Sequence, residues 1–167
     1  APPAGTFTQL SPAQWEDAFH TVLLPVVNVV RGALELMSSG GSIVVNSSNF
    51  VRQPSLSYTT ATSLRLAVLG LVKTLADELG PRGIRVNAIA PGSTRTEVME
   101  EYIQAEAQRR GVPADEVEHE LAASIPLGRF ATPEEIGNVA VFLLSPRASF
   151  AHGGVWLVDG GESRNPV

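Results

Sequence analysis

Three short apolar runs, at 42–45, 84–90 and 155–158, are separated by stretches long enough to carry helices, and this alternation leaves few architectures open. Ser42-Ile43-Val44-Val45 is rich in β-branched residues and shows no polar alternation after Ser42, as expected of a strand covered on both faces. Strands of that kind alternating with helices build a parallel sheet joined by crossover helices. The expected fold class is α/β, with a doubly wound parallel sheet of which only a part is present, because three strands are too few to cover these helices.

The helices have legible ends. Ser11-Pro12 supplies a capping oxygen and then a residue with no N–H to satisfy, and Trp15, Phe19, Val22, Val26 and Val30 follow at helical spacing, so a helix is predicted over 12–38. Pro25 interrupts it. Its ring deletes one backbone hydrogen bond and crowds the Thr21 carbonyl, at about 3 kcal/mol if nothing compensates, and a kink is expected there. A second helix is predicted over 58–79, stopped by Gly80-Pro81. Its middle, 64–72, is apolar nearly all round except at Arg65, which predicts cover on more than one side by something other than water. Residues 97–124 are charged and broken at Gly111-Val112-Pro113, and read as two short helices, more surface than core. Thr132-Pro133-Glu134-Glu135 opens a last helix that should end near Ser145.

A chain of 167 residues holds one core rather than two ordinary domains. Its 44% hydrophobic and 17% charged residues argue against disorder, and no apolar run approaches the roughly 20 residues that span a bilayer, so no membrane partner is expected. Twelve Lys+Arg against seventeen Asp+Glu give a net charge of -5, which leaves no basic field for a phosphate backbone, and nucleic acid is not an expected partner. The lack of cysteine rules out disulfides and thiolate metal sites and fits a reducing compartment, with the cytoplasm as the default. His20, His119 and His152 have neither metal-ligand nor Ser-His-Asp spacing, so no metal is expected. Ala1-Pro2-Pro3-Ala4-Gly5 reads as a loop rather than a secretory signal.

In an open parallel sheet, ligands bind beyond the carboxyl ends of the strands. Those ends are Asn46-Ser47-Ser48, Pro91-Gly92-Ser93-Thr94-Arg95-Thr96 and Asp159-Gly160-Gly161. Their hydroxyls can donate to a carbonyl or amide oxygen, and they also suit ordinary Ser/Thr-rich turns. Arg65, among Leu64, Leu66, Val68 and Leu69, has to reach a carboxylate, a phosphate, a backbone carbonyl or solvent; snorkelling and an ion pair between subunits are the plain alternatives. Tyr58 lies two turns before Arg65 on the same face if the helix starts that early, and is otherwise a loop aromatic covering the core.

Several stretches, in this order and at this spacing, resemble the short-chain dehydrogenase/reductase family over nearly the whole chain. They are Gly41-Ser42-Ile43-Val44-Val45-Asn46-Ser47-Ser48, Gly70-Leu71-Val72-Lys73-Thr74-Leu75-Ala76-Asp77-Glu78-Leu79, Gly83-Ile84-Arg85-Val86-Asn87-Ala88-Ile89-Ala90-Pro91-Gly92, Pro126-Leu127-Gly128-Arg129, Thr132-Pro133-Glu134-Glu135-Ile136 and Val158-Asp159-Gly160-Gly161. The resemblance implies a Rossmann-like fold and an NAD(P)-dependent oxidoreductase acting on a small-molecule carbonyl/alcohol pair. It also implies a homo-dimer or tetramer packed through helix 58–79, which would account for that helix's apolar middle. The family's glycine-rich cofactor turn is absent from this sequence. Residues 1–167 are therefore expected to be the C-terminal part of a single domain of about 250 residues, with NAD or NADP binding dependent on the other part and the piece alone inactive.

The family's proton relay uses a serine, a tyrosine, a lysine four residues after the tyrosine, and a helix asparagine. By position Ser48 matches the serine, while Ala61 stands for the tyrosine, Arg65 for the lysine and Val22 for the asparagine. Arg65 can hold a ribose or polarise an oxygen, but a guanidinium stays protonated and does not pass a proton on. Tyr58, one turn before Ala61, is the candidate substitute. Arg52-Gln53-Pro54 followed by a segment without tyrosine at Ala61 to Arg65 is similar to a divergent subgroup of reductases. The Pro91-Gly92-x-x-x-Thr96 loop is retained, and the resemblance implies that the backbone near Thr94 and the Thr96 hydroxyl hold the nicotinamide carboxamide. The expected catalytic set is Ser48, Arg65 and Tyr58, and the expected cofactor set is Pro91, Gly92, Thr94, Thr96 and Arg65. The alternative is a cofactor-binding or subunit-partner protein that kept the fold and lost the relay.

Overall fold

The computed structural model describes residues 2–165. Three parallel strands, β1 (Ser42–Asn46), β2 (Arg85–Pro91) and β3 (Val155–Val158), lie side by side in that order. Helix α3 (Thr59–Leu79) crosses from β1 to β2, and α4 (Glu97–Arg110), α5 (Ala114–Ala123) and α6 (Pro133–Leu144) lie between β2 and β3. The α/β alternation expected from the apolar runs is what forms.

Side chains alternate across the sheet as strand geometry requires. Ile43, Val45, Val86 and Ala88 pack with Val68 and Val72 of α3, while Val44 and Ile89 pack with Ile136 and Leu143 of α6. Helices thus cover both faces, and β2 is buried from Val86 through Ala90. Burying each large apolar side chain contributes about 1.5–3 kcal/mol, enough to order the strand without a polar face. Asn87, the polar residue of that run, is fully buried and satisfied: its amide donates to the Ala151 carbonyl at 2.8 Å and its oxygen accepts the Gly154 N–H at 3.2 Å. Arg85 donates to the carbonyls of Leu143 (2.7 Å) and Ser145 (3.0 Å), placing a cation on the C-terminus of α6.

The N-terminal helix differs from expectation at Pro25. It runs as α1 (Pro12–Ala18), one π turn (Phe19–Leu23) and α2 (Leu24–Leu34), and stops before the predicted 38. The Leu24 N–H reaches back five residues to the Phe19 carbonyl. This widened turn just before the proline absorbs the misfit between its ring and the preceding carbonyls. Helix α3 ends at Leu79, where Gly80-Pro81 is expected to stop it, and the chain tightens rather than leaving helical angles at once. Gly80 keeps right-handed helical angles, Pro81 sits where no donor is needed, and a 3₁₀ turn (Gly80–Arg82) carries the chain to Gly83, whose φ of +72° ends it. The outer face of α3 at Ser63, Leu66, Ala67 and Gly70 is exposed, with Leu66 at 45%, so cover on a second side is not found among the described residues.

Residues 97–124 form the two predicted helices, more surface than core as expected, with a small core beneath them. Ile103, Ala107, Val117, Ile125 and Phe130 are buried together in a core of their own. Arg95 ties its rim by pairing with Glu100 and Glu118.

Helix α6 starts in a capping box: Thr132 Oγ1 accepts the Glu135 N–H, and Glu135 accepts the Thr132 N–H at 2.9 Å. Arg129 forks onto the same carboxylate at 2.7 and 2.8 Å. The Arg129 guanidinium first, and the Thr132 N–H second, pull the Glu135 carboxyl from its ordinary 4.5 to about 2. A lowered native pKa stabilises the fold above the ordinary carboxylate value and loses that contribution as pH falls toward the native one. Glu135→Gln should therefore lower the thermal midpoint at neutral pH, with the gap to wild type closing as pH falls from about 4.5 toward 2. A gap independent of pH would contradict this.

Candidate functional site

The carboxyl ends of β1 and β2 open into one cleft of about 600 Å³, and Ser48, Arg65, Pro91, Gly92, Thr94 and Thr96 all line it. Ser48 follows β1 directly and caps a 3₁₀ turn (Asn49–Val51): its Oγ accepts the Phe50 N–H at 3.3 Å and donates to Asn49 Oδ1 at 3.3 Å. Arg65 comes from the second turn of α3 and donates from Nη1 to the Ser47 carbonyl at 2.9 Å. Of the partners open to it on sequence grounds, it takes a backbone carbonyl. Burial pushes its guanidinium pKa down from the ordinary value, and its Nε is buried with no partner among the described residues. An unmet buried donor costs about 1–3 kcal/mol, which a ligand oxygen or water offsets.

The loop after β2 is held from three directions. Gly92 N–H donates to the Val158 carbonyl at 3.0 Å, and Ser93 and Arg95 exchange backbone bonds with Ala131 at 3.0 and 2.9 Å. Glu162 accepts the Ser93 N–H (2.7 Å) and hydroxyl (2.8 Å). Thr94 Oγ1 donates to the Gly92 carbonyl, and Thr96 caps α4 by accepting the Met99 N–H. As an acceptor there, the Thr96 hydroxyl keeps its proton for a ligand.

Tyr58 stands apart from these residues. It is the N-cap of α3 rather than its first turn, and its ring stacks on Phe50 at 5.0 Å. Phe50 lines the cleft and Tyr58 does not. Ala61, one turn on, is buried.

The comparisons with known proteins identify the family and the fold. A family model described as enoyl-(acyl carrier protein) reductase matches residues 1–163. The chain is 36% identical over 159 residues to a 3alpha-hydroxysteroid dehydrogenase of Mediterraneibacter gnavus, covering 93% of this chain and 58% of that one. It is 32% identical over 157 residues to a 3-oxoacyl-(acyl-carrier-protein) reductase of Aquifex aeolicus, covering 93% and 59%. The chain belongs to the short-chain dehydrogenase/reductase family. L-sorbose reductase from Gluconobacter frateurii, solved with NADPH and L-sorbose, superposes with a TM-score of 0.93 at 28% identity, over 99% of this chain and 64% of that one. An NADPH-bound short chain oxidoreductase from Pseudomonas aeruginosa PAO1, described as containing an atypical catalytic center, superposes with a TM-score of 0.87 at 28% identity, over 99% and 63%. The fold is the Rossmann-like one of this family, and the chain spans about three fifths of the length of these relatives.

Sequence reasoning missed Asn49 and Glu162 in the cleft wall, and had Ser93 only as a member of the 91–96 loop. Glu162 follows the recognised Asp159-Gly160-Gly161, but its contact spans 69 residues and leaves no local mark. His152 binds the Val86 N–H and the Ala76 carbonyl through its two ring nitrogens, and so pins α3 to β2. Gly92 is a position of close approach: a Cβ there would lie 2.6 Å from Asp159 Cβ and 2.8 Å from its Cα. Gly92→Ala should cost about 1–3 kcal/mol by overpacking, read as a lower denaturant midpoint. An unchanged midpoint would contradict the close packing of loop and tail.

Proposed function

We propose that the chain is the C-terminal part of one NAD(P)-dependent oxidoreductase domain acting on a carbonyl/alcohol substrate. The observation that carries this is the meeting of Ser48, Arg65, Thr94 and Thr96 in one cleft. Two structural neighbours hold NADPH, one of them with a sugar substrate, and this supports the reading. β1 pairs only with β2 among the described strands, and its other edge is where the rest of the domain would add.

The nicotinamide, when bound, supplies or accepts the hydride. The Pro91–Thr96 loop offers backbone groups near Thr94 and the Thr96 hydroxyl to the carboxamide. Arg65, short of one hydrogen-bond partner, polarises a carbonyl oxygen or holds a ribose, and Ser48 orients that oxygen once its hydroxyl turns from Asn49. Among the described residues, no tyrosine, lysine or histidine lines the cleft. A missing general acid costs about 10²–10⁴ in rate, so turnover is slow with water as the proton source. Tyr58, behind Phe50, acts as a donor only if that ring gives way, and Tyr58→Phe tests it. The same observation favours a second reading, a cofactor-binding partner protein without turnover.

The test is NAD(P)H oxidation against a panel of ketones by the complete polypeptide that carries this sequence. Oxidation lost in Arg65→Leu supports the first reading. NAD(P)H binding with no oxidation of any ketone supports the second, and no binding overturns both.

We further propose a homo-dimer or tetramer through the exposed face of α3, in a reducing compartment such as the cytoplasm. Light scattering should give a multiple of the chain mass that falls in Leu66→Glu. A monomeric wild type would overturn this assembly.

A further inference from the structure

The tail after β3 is built before it reaches the cleft. Asp159 is buried, and its carboxylate accepts the Gly161 N–H at 3.0 Å and the Ser163 N–H at 2.8 Å. Gly160 and Gly161, at φ of +60° and +83°, take the left-handed angles this reversal needs. The reversal delivers the Glu162 carboxylate to the cleft wall. There Oε2 accepts the Ser93 N–H at 2.7 Å and Oε1 accepts the Ser93 hydroxyl at 2.8 Å. Glu162 forms no ion pair among the described residues, so its charge is met by these two short bonds, the strong, directional kind.

The loop does not need this clamp merely to stay in place. Gly92 already bonds Val158, and the 93–95 backbone already bonds Ala131. Glu162 adds control of the peptide plane between Gly92 and Ser93, immediately before Thr94. A tilt in that plane re-aims the next amide, and a displacement of about 1 Å in a binding group is enough to cost a large factor.

We infer that Glu162 is a positioning residue for the nicotinamide end of the cofactor, acting through Ser93 on the backbone at Thr94. This rests on the reading of the cleft as a nicotinamide-nucleotide site. Glu162 touches the loop and sets where its donors point; the chemistry lies with other residues.

The experiment uses the complete polypeptide that carries this sequence. Glu162→Ala should raise the KM for NAD(P)H about ten- to a hundred-fold, the size of losing two charge-assisted bonds. The kcat at saturating cofactor should stay within about three-fold, since the interaction acts on binding. Glu162→Gln should recover most of the loss, because its amide oxygen still accepts the Ser93 N–H and its NH₂ donates to the Ser93 oxygen. A fall in the thermal midpoint with cofactor KM unchanged would overturn the inference, as would a fall in kcat alone. If Glu162→Ala does not fold, Ser93→Ala is read instead: removing one of the two donors should raise the same KM by a smaller factor, and an unchanged KM overturns the inference. A wild type that binds no NAD(P)H fails the reading of the cleft itself. A wild type that binds and a Glu162→Ala that binds equally well fails only the role of Glu162.

Discussion

A strand covered on both faces can meet a ligand only at its ends. β2 is that strand here, buried from Val86 to Ala90 between α3 and α6, and the rest of the molecule is arranged around this fact. Its parallel neighbours end on the same side because each returns through a helix, so the loops after β1, β2 and β3 emerge together. The cleft is a consequence of that parallel order. Beside Arg65 and Glu162, its polar groups are short hydroxyl and amide side chains on residues at or just past a strand end, where reach is small and backbone position does the aiming.

Two balances of energy shape the site. Arg65 gives one hydrogen bond to a main-chain carbonyl and leaves Nε unmet, while most other arginines with resolved partners face carboxylates or several carbonyls. A guanidinium in that condition is stable because apolar packing elsewhere carries the fold, and it is ready to gain from an incoming oxygen. The Pro91–Thr96 loop is the opposite case, anchored to the tail, to Ala131 and to α4, so little motion remains in it. One partner in the cleft is under-satisfied and the other is held still.

How much of this was legible in the sequence depends on the range of the contact. The strands, the Thr132 cap and the split at Gly111-Val112-Pro113 are written in neighbouring residues, and the structure has them where the pattern puts them. The gathering of Ser48, Thr94 and Thr96 follows from the topology rule once the strands are recognised. The burial of Ile103, Val117 and Phe130 does not, because three separate segments supply that core and none looks apolar alone. Gly80-Pro81 looks like a stop in any helix, and α3 does end at Leu79, but the 3₁₀ turn that accepts the proline and the reversal at Gly83 are not written in that pair. Tyr58 caps α3 instead of lying in its first turn, and its ring stacks on Phe50, a contact that sequence spacing does not reveal.

The wide turn at Phe19–Leu23 has a meaning for chain length. Such a turn behaves as a one-residue insertion, shifting the angular phase of everything before it by about 100°. Trp15 and the capped start of α1 therefore face where they do because of a residue that an ideal helix would not contain, and Pro25 keeps that residue from being squeezed out. Shortening this segment by one position would set the proline against its own helix and rotate the Ser11 cap away from its present side. Related chains that share this proline should therefore hold the spacing from that cap to β1 more rigidly than its apolar composition suggests.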